Sequence, residues 1–515
     1  MPFEYAATFS DRVTRGTRPT GSPEFSVRDA SEYLTLMRDN GIILSVEERR
    51  RVIWDQVQKL AQEVGGSALE DDELLAEVAN LVEQPTALRG SFDKKYLDLP
   101  REVLIKVMAS KQRYFAIEGK EGKLLPYFIA VRNGDSLHLD EVIKGNEHVL
   151  TARFSDADFF FNDDRKHKLA DRLPRLKTMT FQEKLGSLYD KSLRLSSYVE
   201  PLAALFGVSG DALKTAQAAA AIARADQATR MVVEMTSLEG VMGREYARLE
   251  GQPAEVAQAI FESYLPRSAG DQLPQSPAGL LLSVADRLDS LVGLFAVDLA
   301  PTASADPFAL RRAALGVVQV LLKNQYQIDL REAIRIIAEK QPVSVSAEKQ
   351  KDVLTFIVGR LRVLLLDEFG LPHDSVDAVL AEQGHNPYQA LLGVQELAAW
   401  VKREDWSQLL DSFARCVRIT RDKPAYILKP ELLTPEESVV LFKAAQQAHA
   451  ALKPTDNVSA FLSSFQPIIP AVTTFFDKVL VMDKDDAVRE NRLALLQYVA
   501  ALAKGRADLS HLSGF

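Results

Sequence analysis

The chain has 515 residues, with 47% apolar and 26% charged side chains, which is typical of a soluble globular protein of several domains. Its single cysteine, Cys416, excludes an internal disulfide and any zinc site built from cysteine pairs. The formal net charge of −9 argues against a uniformly basic nucleic-acid-binding surface, so any contact with RNA must be confined to local basic faces.

Targeting and membrane signals are weak in this sequence. No stretch approaches 18 consecutive apolar residues, so no transmembrane helix is predicted. The first residues lack the basic stretch followed by an apolar stretch that marks a secretory signal, and Glu4 and Asp11 are untypical of an organellar leader. With one cysteine, the chain suits a reducing compartment such as cytosol, stroma or matrix.

The first third of the chain mixes turns, helix and strands. Residues 1–35 are short segments broken by Thr, Gly and Pro, which predicts loops and turns. A long helical pattern begins at Ser45, which is a suitable N-cap because two glutamates follow in the first turn. Aromatic and β-branched runs predict a short β-containing segment near residues 84–160, with a hairpin turn at Gly119–Gly122.

The remainder of the chain is predicted to be almost wholly helical from Asp156 onward. The clearest helix covers residues 277–297, with Ser276 as its N-cap and a proline in its first turn. Segments 296–308 and 340–348 are rich in Pro, Ser or Val and are candidate boundaries, and no fixed-period repeat is found. The predicted fold class is therefore mainly α and multidomain.

Common catalytic motifs are absent from the sequence. It has no phosphate-binding glycine loop, no HExxH and no GxSxG, and its seven histidines all lie more than five residues apart. His373–Asp374 is a literal His-Asp doublet, but a helical pattern follows Pro372, which favours Asp374 or Ser375 as a helix cap. Cys416 lies among apolar neighbours and is interpreted as a small buried residue.

Nine sequence blocks carry a family resemblance. They are KLLPYFIAVRNG (123–134), GNEHVLTARFSDADFFFNDDRK (145–166), FQEKLGSLYDK (181–191), EGVMGREYA (239–247), YLPRSAGDQLP (264–274), SVADRLDSLVGLF (283–295), DPFALRRAALG (306–316), FFDKVLVM (475–482) and RENRLALL (489–496). Together and in this order, they resemble the β subunit or β region of the bacterial and plastid tetrameric type of glycyl-tRNA synthetase.

The resemblance implies a division of labour between two parts of an enzyme. In that family, a separate α part holds the class II catalytic site that makes glycyl-tRNA from glycine, ATP and tRNA-Gly. The β part binds tRNA and has no aminoacylation site, so no catalytic residue is expected in this chain. The implied function is a tRNA-binding, non-catalytic β part that positions tRNA-Gly for the α part.

The resemblance also implies a domain organisation. Residues 1–45 resemble the remnant of an RNA-binding α/β domain of B3/B4-like type, so the chain is expected to be N-terminally truncated. Residues 46–180 are expected to form a helix and a mixed α/β linker region. Residues 181–345 correspond to an HD-like helical domain, and residues 346–515 to a C-terminal helical domain of anticodon-binding type.

Cofactors, partners and location follow from the same resemblance. No cofactor or metal is expected in this chain, and ATP and Mg²⁺ are expected to act through the α part. The expected partners are tRNA-Gly and the α part, in an α2β2-type assembly or a fused-chain dimer, with no membrane. The expected location is the cytoplasm for a bacterial protein, and the plastid or mitochondrion for a plant or algal one.

The HD-like domain carries a degenerate motif. In active HD enzymes one helix supplies a His-Asp doublet and a later helix a further Asp. Here the doublet position reads Ala225–Asp226, while Asp286 remains on the later helix. Because a metal centre needs several ligands, the metal site is expected to be lost. Asp286 and Asp289 share a helix face, where they are either surface residues or partners of an arginine such as Arg230.

Basic side chains in the resembling blocks and in local basic runs are candidates for tRNA binding, because an arginine can both stack on a base and bond to its edge. The candidates are Arg12, Arg15, Arg18, Arg165, Lys166, Lys168, Arg311, Arg312, Arg415, Arg418, Arg421, Lys478, Arg489 and Arg492. Lys166 and Lys168 belong to a basic run that continues to Arg172 and Arg175 and would bind phosphate.

Each basic group also has a structural interpretation. Arg311 and its neighbour could pair with Asp306, and the three candidates nearest the C-terminus could pair with Asp477, Asp483 or Glu490. The arginines between 415 and 421 form one stripe if the segment is a helix and alternate between faces if it is a strand. Two other functions stay open: a divergent HD-type phosphohydrolase using the aspartates at 226 and 286, and a helical scaffold for subunit assembly.

Overall fold

The computed structural model describes residues 3–268, 270–453 and 455–515. Two compact units are present, each built from two stretches of chain. Unit 1 comprises Met1–Lys168 and Asp226–Tyr246, and unit 2 comprises Leu169–Ala225 and Ala247–Phe515. Helices dominate both units and strands are short and few, so the predicted fold class, mainly α and multidomain, is confirmed.

The strands lie mostly in the first third of the chain. They are β1 (Glu4–Tyr5), β2 (Thr8–Phe9), β3 (Val13–Arg15), β4 (Glu24–Ser26), β5 (Ser67–Ala68), β6 (Pro85–Ser91), β7 (Phe115–Glu118), β8 (Leu124–Asn133), β9 (Thr180–Gln182) and β10 (Gly186–Ser187). The segment of residues 1–35, predicted as loops and turns, therefore also holds two short hairpins, β1–β2 and β3–β4.

The helices account for most of the rest. They are α1 (Tyr33–Asp39), α2 (Val46–Gln62), α3 (Asp72–Leu81), α4 (Arg101–Lys106), α5 (Leu139–Asp164), α6 (Leu169–Arg172), α7 (Leu188–Phe206), α8 (Gly210–Ala220), α9 (Arg230–Glu234), α10 (Val241–Leu249), α11 (Ala254–Glu262), α12 (Pro277–Ala296), α13 (Leu310–Lys323), α14 (Leu330–Ala338), α15 (Ala347–Asp367), α16 (His373–Gln383), α17 (Pro387–Val401), α18 (Trp406–Thr420), α19 (Glu436–Ala451), α20 (Val458–Phe465), α21 (Ile469–Lys478) and α22 (Asp486–Ala500).

Unit 1 is organised around a four-stranded antiparallel sheet with the strand order β5-β7-β8-β6. The predicted hairpin turn joins β7 to β8, where the Gly119 N–H donates to the Lys123 carbonyl at 2.8 Å. Helix α2 begins as predicted, because the Ser45 hydroxyl accepts from the backbone of its first turn. The buried face of α2, including Ile53 and Val57, packs on sheet residues such as Phe115.

Helix α5 begins earlier than the sequence pattern predicts. The strands end at Asn133, and the chain is helical from Leu139 instead of from Asp156. The buried side chains Leu150, Phe154, Ala157 and Phe161 recur every three or four residues, which is a single helical stripe. The predicted β-containing segment therefore ends at Asn133, and residues 139–160 of it are helical.

Unit 2 is built around α12, which is buried along nearly its whole length and packs against α7, α8, α11, α13, α14 and α15. The predicted N-cap is confirmed, because the Ser276 hydroxyl accepts from the Gly279 N–H at 3.0 Å. Further along the chain, α18 packs against α21 and α22, and α17 against α20. The domain boundaries expected from the resemblance stay predictions.

Helix α16 corrects one detail of the sequence analysis. The predicted helix is present, but it begins at His373 with Pro372 as its N-cap, so neither Asp374 nor Ser375 is the cap. Asp374 lies in the first turn, where its carboxylate accepts from the Ser375 N–H at 2.7 Å. Pro372 has the extended backbone typical of an N-cap residue but no side-chain acceptor for the first-turn N–H groups.

One helical stretch among the described residues, Val458–Lys478, is long and apolar enough to cross a membrane by length and composition alone. Its side chains Phe461, Phe465 and Phe475 are fully buried within unit 2. Phe461 and Phe465 also pack edge-on against the buried ring of Phe413. The apolar side of this stretch therefore faces the interior of unit 2.

Candidate functional site

Asp226, the first degenerate HD position, is fully buried in unit 1 and supports the backbone. Its carboxylate accepts from the Gly240 N–H at 2.6 Å, at a glycine whose φ of 77° few other residues adopt. Its carbonyl accepts from the Thr229 hydroxyl at 2.6 Å. These bonds connect the turns on either side of α9. The Asp226 carboxylate therefore has a structural role as a hydrogen-bond acceptor for the backbone.

Asp286 and Asp289 lie in unit 2 on α12, and neither is a surface residue. The side chain of Asp289 is 1% exposed and accepts from Arg194 Nε at 2.8 Å, Lys191 Nζ at 3.0 Å and Tyr198 Oη at 2.7 Å. Asp286 pairs with Lys191 at 3.2 Å and with Arg224. The Gln341 amide also donates to Asp289 at 3.0 Å. We call this group the α12 charge cluster; its members are Asp286, Asp289, Lys191, Arg194, Tyr198, Arg224 and Gln341.

The arginine suggested from the sequence as a partner for these aspartates was wrong. Arg230 belongs to unit 1 and pairs with Asp163 at 2.9 Å, whereas Arg224 of unit 2 pairs with Asp286. Arg224 lies six residues before Arg230, on the other side of the short turn that contains Asp226. Sequence spacing alone could not distinguish the two arginines.

The electrostatics of the α12 charge cluster favour ionised carboxylates. Burial raises the pKa of Asp289, but the charges of Lys191 and Arg194 outweigh it and hold that pKa well below its usual range. Burial likewise raises the pKa of Asp286, and the charges of Arg224 and Lys191 lower it further than burial raises it. The side chain of Tyr198 has its pKa raised by burial and by the charge of Asp289.

Lys191 occupies the position between the two carboxylates. Its ammonium, 3% exposed, lies within 3.2 Å of both Asp286 and Asp289 and also donates to the Ser290 hydroxyl at 2.8 Å. A divalent cation bound by this pair would need the same oxygens. Within residues 3–268, 270–453 and 455–515, no group of three His, Cys, Asp or Glu side chains is arranged to hold a metal ion.

The cations of the α12 charge cluster were missed by the sequence analysis. Lys191 and Arg194 lie on α7 in the stripe that also carries the buried residues Leu195, Tyr198 and Leu202. Charged residues at core positions of an amphipathic helix are rarely buried unless they are paired. Their place within that apolar stripe is the signal that could have identified them.

The three arginines near Cys416 lie along helix α18 and its C-cap, so the helical alternative was correct and the strand was not. The Arg415 guanidinium lies 4.4 Å from the centre of the Phe476 ring. Those of Arg418 and Arg421 lie 5.6 Å and 5.9 Å from the ring of Phe515. The structure thus brings these three basic side chains together with two aromatic rings, and we call this group the α18 basic stripe.

The opposite face of α18 is buried. Cys416 is fully buried there, as predicted, and burial raises the pKa of its thiol to about 12. Its Sγ lies 3.5 Å from the Ser412 carbonyl. The helix therefore separates an apolar side that faces the core from a basic side that faces solvent.

The basic candidates nearest the C-terminus form bonds within the protein. Arg492 is 9% exposed and donates to Asp483 at 2.7 Å and to the Leu480 carbonyl at 2.8 Å. Arg489 donates to the Asp483 carbonyl and pairs with Asp486. Lys478 pairs with Glu437 at 3.1 Å. Of the acidic partners considered from the sequence, Asp483 is the one found.

The remaining candidates are spread over both units. Arg311 pairs with Asp306 at 3.7 Å as considered, and Arg312 beside it is exposed. In unit 1, Lys166 pairs with Asp163 and the Arg165 guanidinium lies over the Phe161 ring, while Lys168 is exposed. At the N-terminus Arg15 pairs with Glu24, Arg12 donates to the Arg28 carbonyl, and Arg18 is exposed. Their roles in RNA binding stay predictions.

Comparison with known proteins gives a consistent result. The family described as "Glycyl-tRNA synthetase beta subunit" matches residues 1–381. The chain is 39% identical over 521 residues to the glycine–tRNA ligase beta subunit of Geobacter sp. (strain M21) and 37% identical over 518 residues to that of Clostridioides difficile (strain 630). The matches cover 100% and 99% of this chain and 75% of each relative.

A plant protein is equally similar but longer. The chain is 38% identical over 519 residues to "Glycine--tRNA ligase, chloroplastic/mitochondrial 2" of Arabidopsis thaliana. That match covers 100% of this chain and 48% of the relative, so the chain spans about half the length of the plant protein and three quarters of the bacterial ones. On these matches the chain belongs to the glycyl-tRNA synthetase β-subunit family.

Proposed function

We propose that this chain is the tRNA-binding, non-catalytic β part of a glycyl-tRNA synthetase. It positions tRNA-Gly for a separate class II catalytic α part, which joins glycine to the tRNA at the expense of ATP. Membership of the family carries the proposal, since the bacterial relatives are named glycine–tRNA ligase beta subunits. Holding the acceptor end near a catalytic site lowers the entropic part of the barrier.

The α18 basic stripe is the surface we assign to the tRNA. Arg418 and Arg421 are exposed and lie over an aromatic ring, so their planar guanidinium groups are held near one orientation. Unpaired bases of an anticodon loop can stack on such groups and accept or donate bonds at their edges. Contacts with phosphates would add affinity that falls steeply with salt.

ATP and Mg²⁺ are assigned to the α part, in an α2β2-type assembly or a fused-chain dimer. The printed names of the relatives include bacterial beta subunits and a chloroplastic/mitochondrial ligase, which fits a cytoplasmic location in a bacterium and an organellar one in a plant or alga. The phosphohydrolase alternative has no supporting observation, because Asp286 is paired with Lys191 and Arg224.

Binding of tRNA to the purified full chain tests the proposal. We expect filter binding to show a preference for tRNA-Gly over an unrelated tRNA and affinity that falls linearly with salt on logarithmic axes. The double variant Arg418→Ala/Arg421→Ala should weaken binding at least tenfold, since a lost stack costs about 1–3 kcal/mol. Arg335→Ala removes an exposed arginine paired within α14 and its C-cap and is the matched control.

Three results would contradict the assignment. If both tRNAs bind equally well and the double variant has no effect, the α18 basic stripe does not recognise tRNA-Gly. Formation of glycyl-tRNA by the chain alone would contradict a non-catalytic role. Tight binding of the α part by a chain that binds no RNA would favour the helical scaffold instead.

A further inference from the structure

A small cavity of about 160 Å³ lies within unit 1, beside helix α5. Its walls come from α5, from the C-terminal end of α9 and from a π-helical segment, Val107–Gln112. The side chains that matter are Phe160, Lys111, Arg153, Asp156 and Glu234. Pockets for drug-sized ligands hold roughly 300–1,000 Å³, so this cavity admits a single ring system.

Four charged side chains surround the cavity without pairing. Lys111 and Arg153 are exposed cations, and Asp156 and Glu234 are exposed carboxylates. Across residues 3–268, 270–453 and 455–515, the side chains of these four form no hydrogen bond or ion pair. The pattern differs from that of neighbouring arginines, since Arg230 pairs with Asp163. The four groups are therefore available to a ligand.

The backbone beside the cavity departs from regular helix. Residues Val107–Gln112 form π-helical turns, and Arg113 follows with a positive φ of 59°. Val107 and Met108 are buried and anchor the segment in the core, whereas Lys111 is left exposed at the cavity. π-helical turns and left-handed non-glycine residues concentrate at functional sites, where the neighbouring packing holds them in place.

Two neighbouring aromatic residues of α5, Phe159 and Phe160, lie at or near the surface beside the cavity. Phe160 lines the cavity, and the ring of Phe159 lies beside it with centroids 5.9 Å apart. Phe159 is 55% exposed, and the Arg230 guanidinium lies 5.8 Å from the centre of its ring. A partly buried ring beside an exposed ring and a guanidinium matches the stacking surfaces that proteins present to unpaired bases.

We propose that this cavity binds one unpaired nucleotide of RNA, with the base stacked on Phe160. The phosphate lies against Lys111 and Arg153, and the base N–H groups donate to Asp156 and Glu234. A nucleotide offers a partner to each kind of group, because its phosphate is an anion for the cations and its base carries N–H donors for the carboxylates, and the base suits the aromatic wall. Free glycine would match both kinds of charge, but it has no side chain and would leave the ring without a partner.

This proposal rests on the proposed function, because it assumes that the chain binds RNA. It concerns a different surface from the α18 basic stripe. The α18 basic stripe is in unit 2, whereas the cavity is in unit 1. The exposed ring of Phe159 gives a stacking position for the next base along the strand.

Binding of an eight-nucleotide single-stranded RNA to the full chain tests the proposal, with fluorescence anisotropy as the readout. Phe160→Leu keeps an apolar side chain but removes the ring, and should lower affinity roughly five- to hundredfold. Lys111→Ala/Arg153→Ala should lower affinity and also reduce the slope against salt by about 0.7 for each phosphate that is no longer neutralised. Phe308→Leu and Lys214→Ala, both exposed residues of unit 2, are matched controls.

Crosslinking gives a second readout that a purely structural role would not change. A 4-thiouridine placed in the same RNA should crosslink to the peptide that contains Phe160, and the crosslink should disappear in Lys111→Ala/Arg153→Ala. Circular dichroism and the midpoint of urea unfolding identify any variant that fails to fold.

The outcomes separate failure of this proposal from failure of the proposed function. If the cavity variants bind the RNA as the parent does, while tRNA-Gly binding persists, the cavity is no nucleotide site and the proposed function stands. If the parent chain binds no RNA at all, both fail. If the variants bind RNA normally but lose affinity for the α part, the cavity is a protein-docking site and the nucleotide proposal is overturned.

Discussion

In the α12 charge cluster, Lys191 and Arg194 donate to Asp289, which is 1% exposed. On the α18 basic stripe, Arg418 and Arg421 are exposed and lie over the ring of Phe515. Both regions are built from charged side chains on long helices within the same unit. In the first, the charges neutralise one another inside the protein; in the second, the cations face solvent.

The difference shows that burial distinguishes charged side chains that stabilise the fold from those that can bind a ligand. Removing an ion from water costs several kcal/mol, so a buried charge persists only where partners and hydrogen bonds compensate it. An exposed guanidinium has no such cost and can exchange water for phosphate or base. We therefore expect changes in the α12 charge cluster to alter folding, and changes in the α18 basic stripe to alter RNA binding.

The largest expected effect comes from removing the central carboxylate. Asp289→Ala leaves Lys191 and Arg194 buried without their shared counter-ion, and the free energy of unfolding should fall by about 3–5 kcal/mol. Urea titration followed by circular dichroism measures the change. Asp298→Asn removes the charge of an exposed carboxylate that pairs with Lys349 and keeps a residue type that tolerates the positive φ of 63° at this position, so it is the control and should change little. An equal loss of unfolding free energy in both variants would contradict the conclusion that buried charges stabilise the fold and exposed ones do not.

A smaller effect is expected at Arg492, a basic candidate that the structure buries. Arg492→Ala removes the donor to the Leu480 and Thr434 carbonyls, so the free energy of unfolding should fall by about 1–3 kcal/mol. Arg418→Ala should change that free energy by less than about 0.5 kcal/mol but weaken tRNA binding. Loss of RNA affinity in Arg492→Ala without any loss of stability would place Arg492 among the binding residues.

The smallest expected effect is a pH dependence of the α12 charge cluster. Asp289 has a folded-state pKa held below its ordinary value of 3.8, so its contribution to stability is complete above that value and is lost as the pH falls toward the folded pKa. The difference in unfolding free energy between the parent and Asp289→Asn should therefore shrink below about pH 4, by at most roughly 1.4 kcal/mol per pH unit. A difference that grows as the pH falls would contradict the assignment.

Several elements were predictable because their signals are local. The cap of α12 depends on Ser276 and the backbone three residues later, and the β7–β8 turn depends on glycines at Gly119 and Gly122. Helix α2 begins directly after its N-cap Ser45 for the same reason as α12. Each of these features follows from side chains and backbone within one turn of chain.

Other features depended on partners far along the sequence. Lys191 and Asp289 are 98 residues apart, and their contact follows from the packing of α7 on α12. The predicted β-containing segment extended to residue 160, whereas the burial of Leu150, Phe154, Ala157 and Phe161 shows one helical stripe from Leu139 onward. The contact between Arg418 and Phe515 likewise could not be predicted, because the two residues are distant in sequence and meet only in the folded protein.

The sequence by itself determined the mainly helical fold class, the capped starts of α2 and α12, and the family, because caps, apolar periodicity and ordered motifs are properties of neighbouring residues. Tertiary structure alone decided which charges are structural. Asp289 and Arg492 are buried by residues distant in sequence, and Asp286 is largely covered. Arg418 and Arg421 are exposed to solvent. The physical reason is that desolvation depends on what covers a side chain, and the covering residues are distant in sequence.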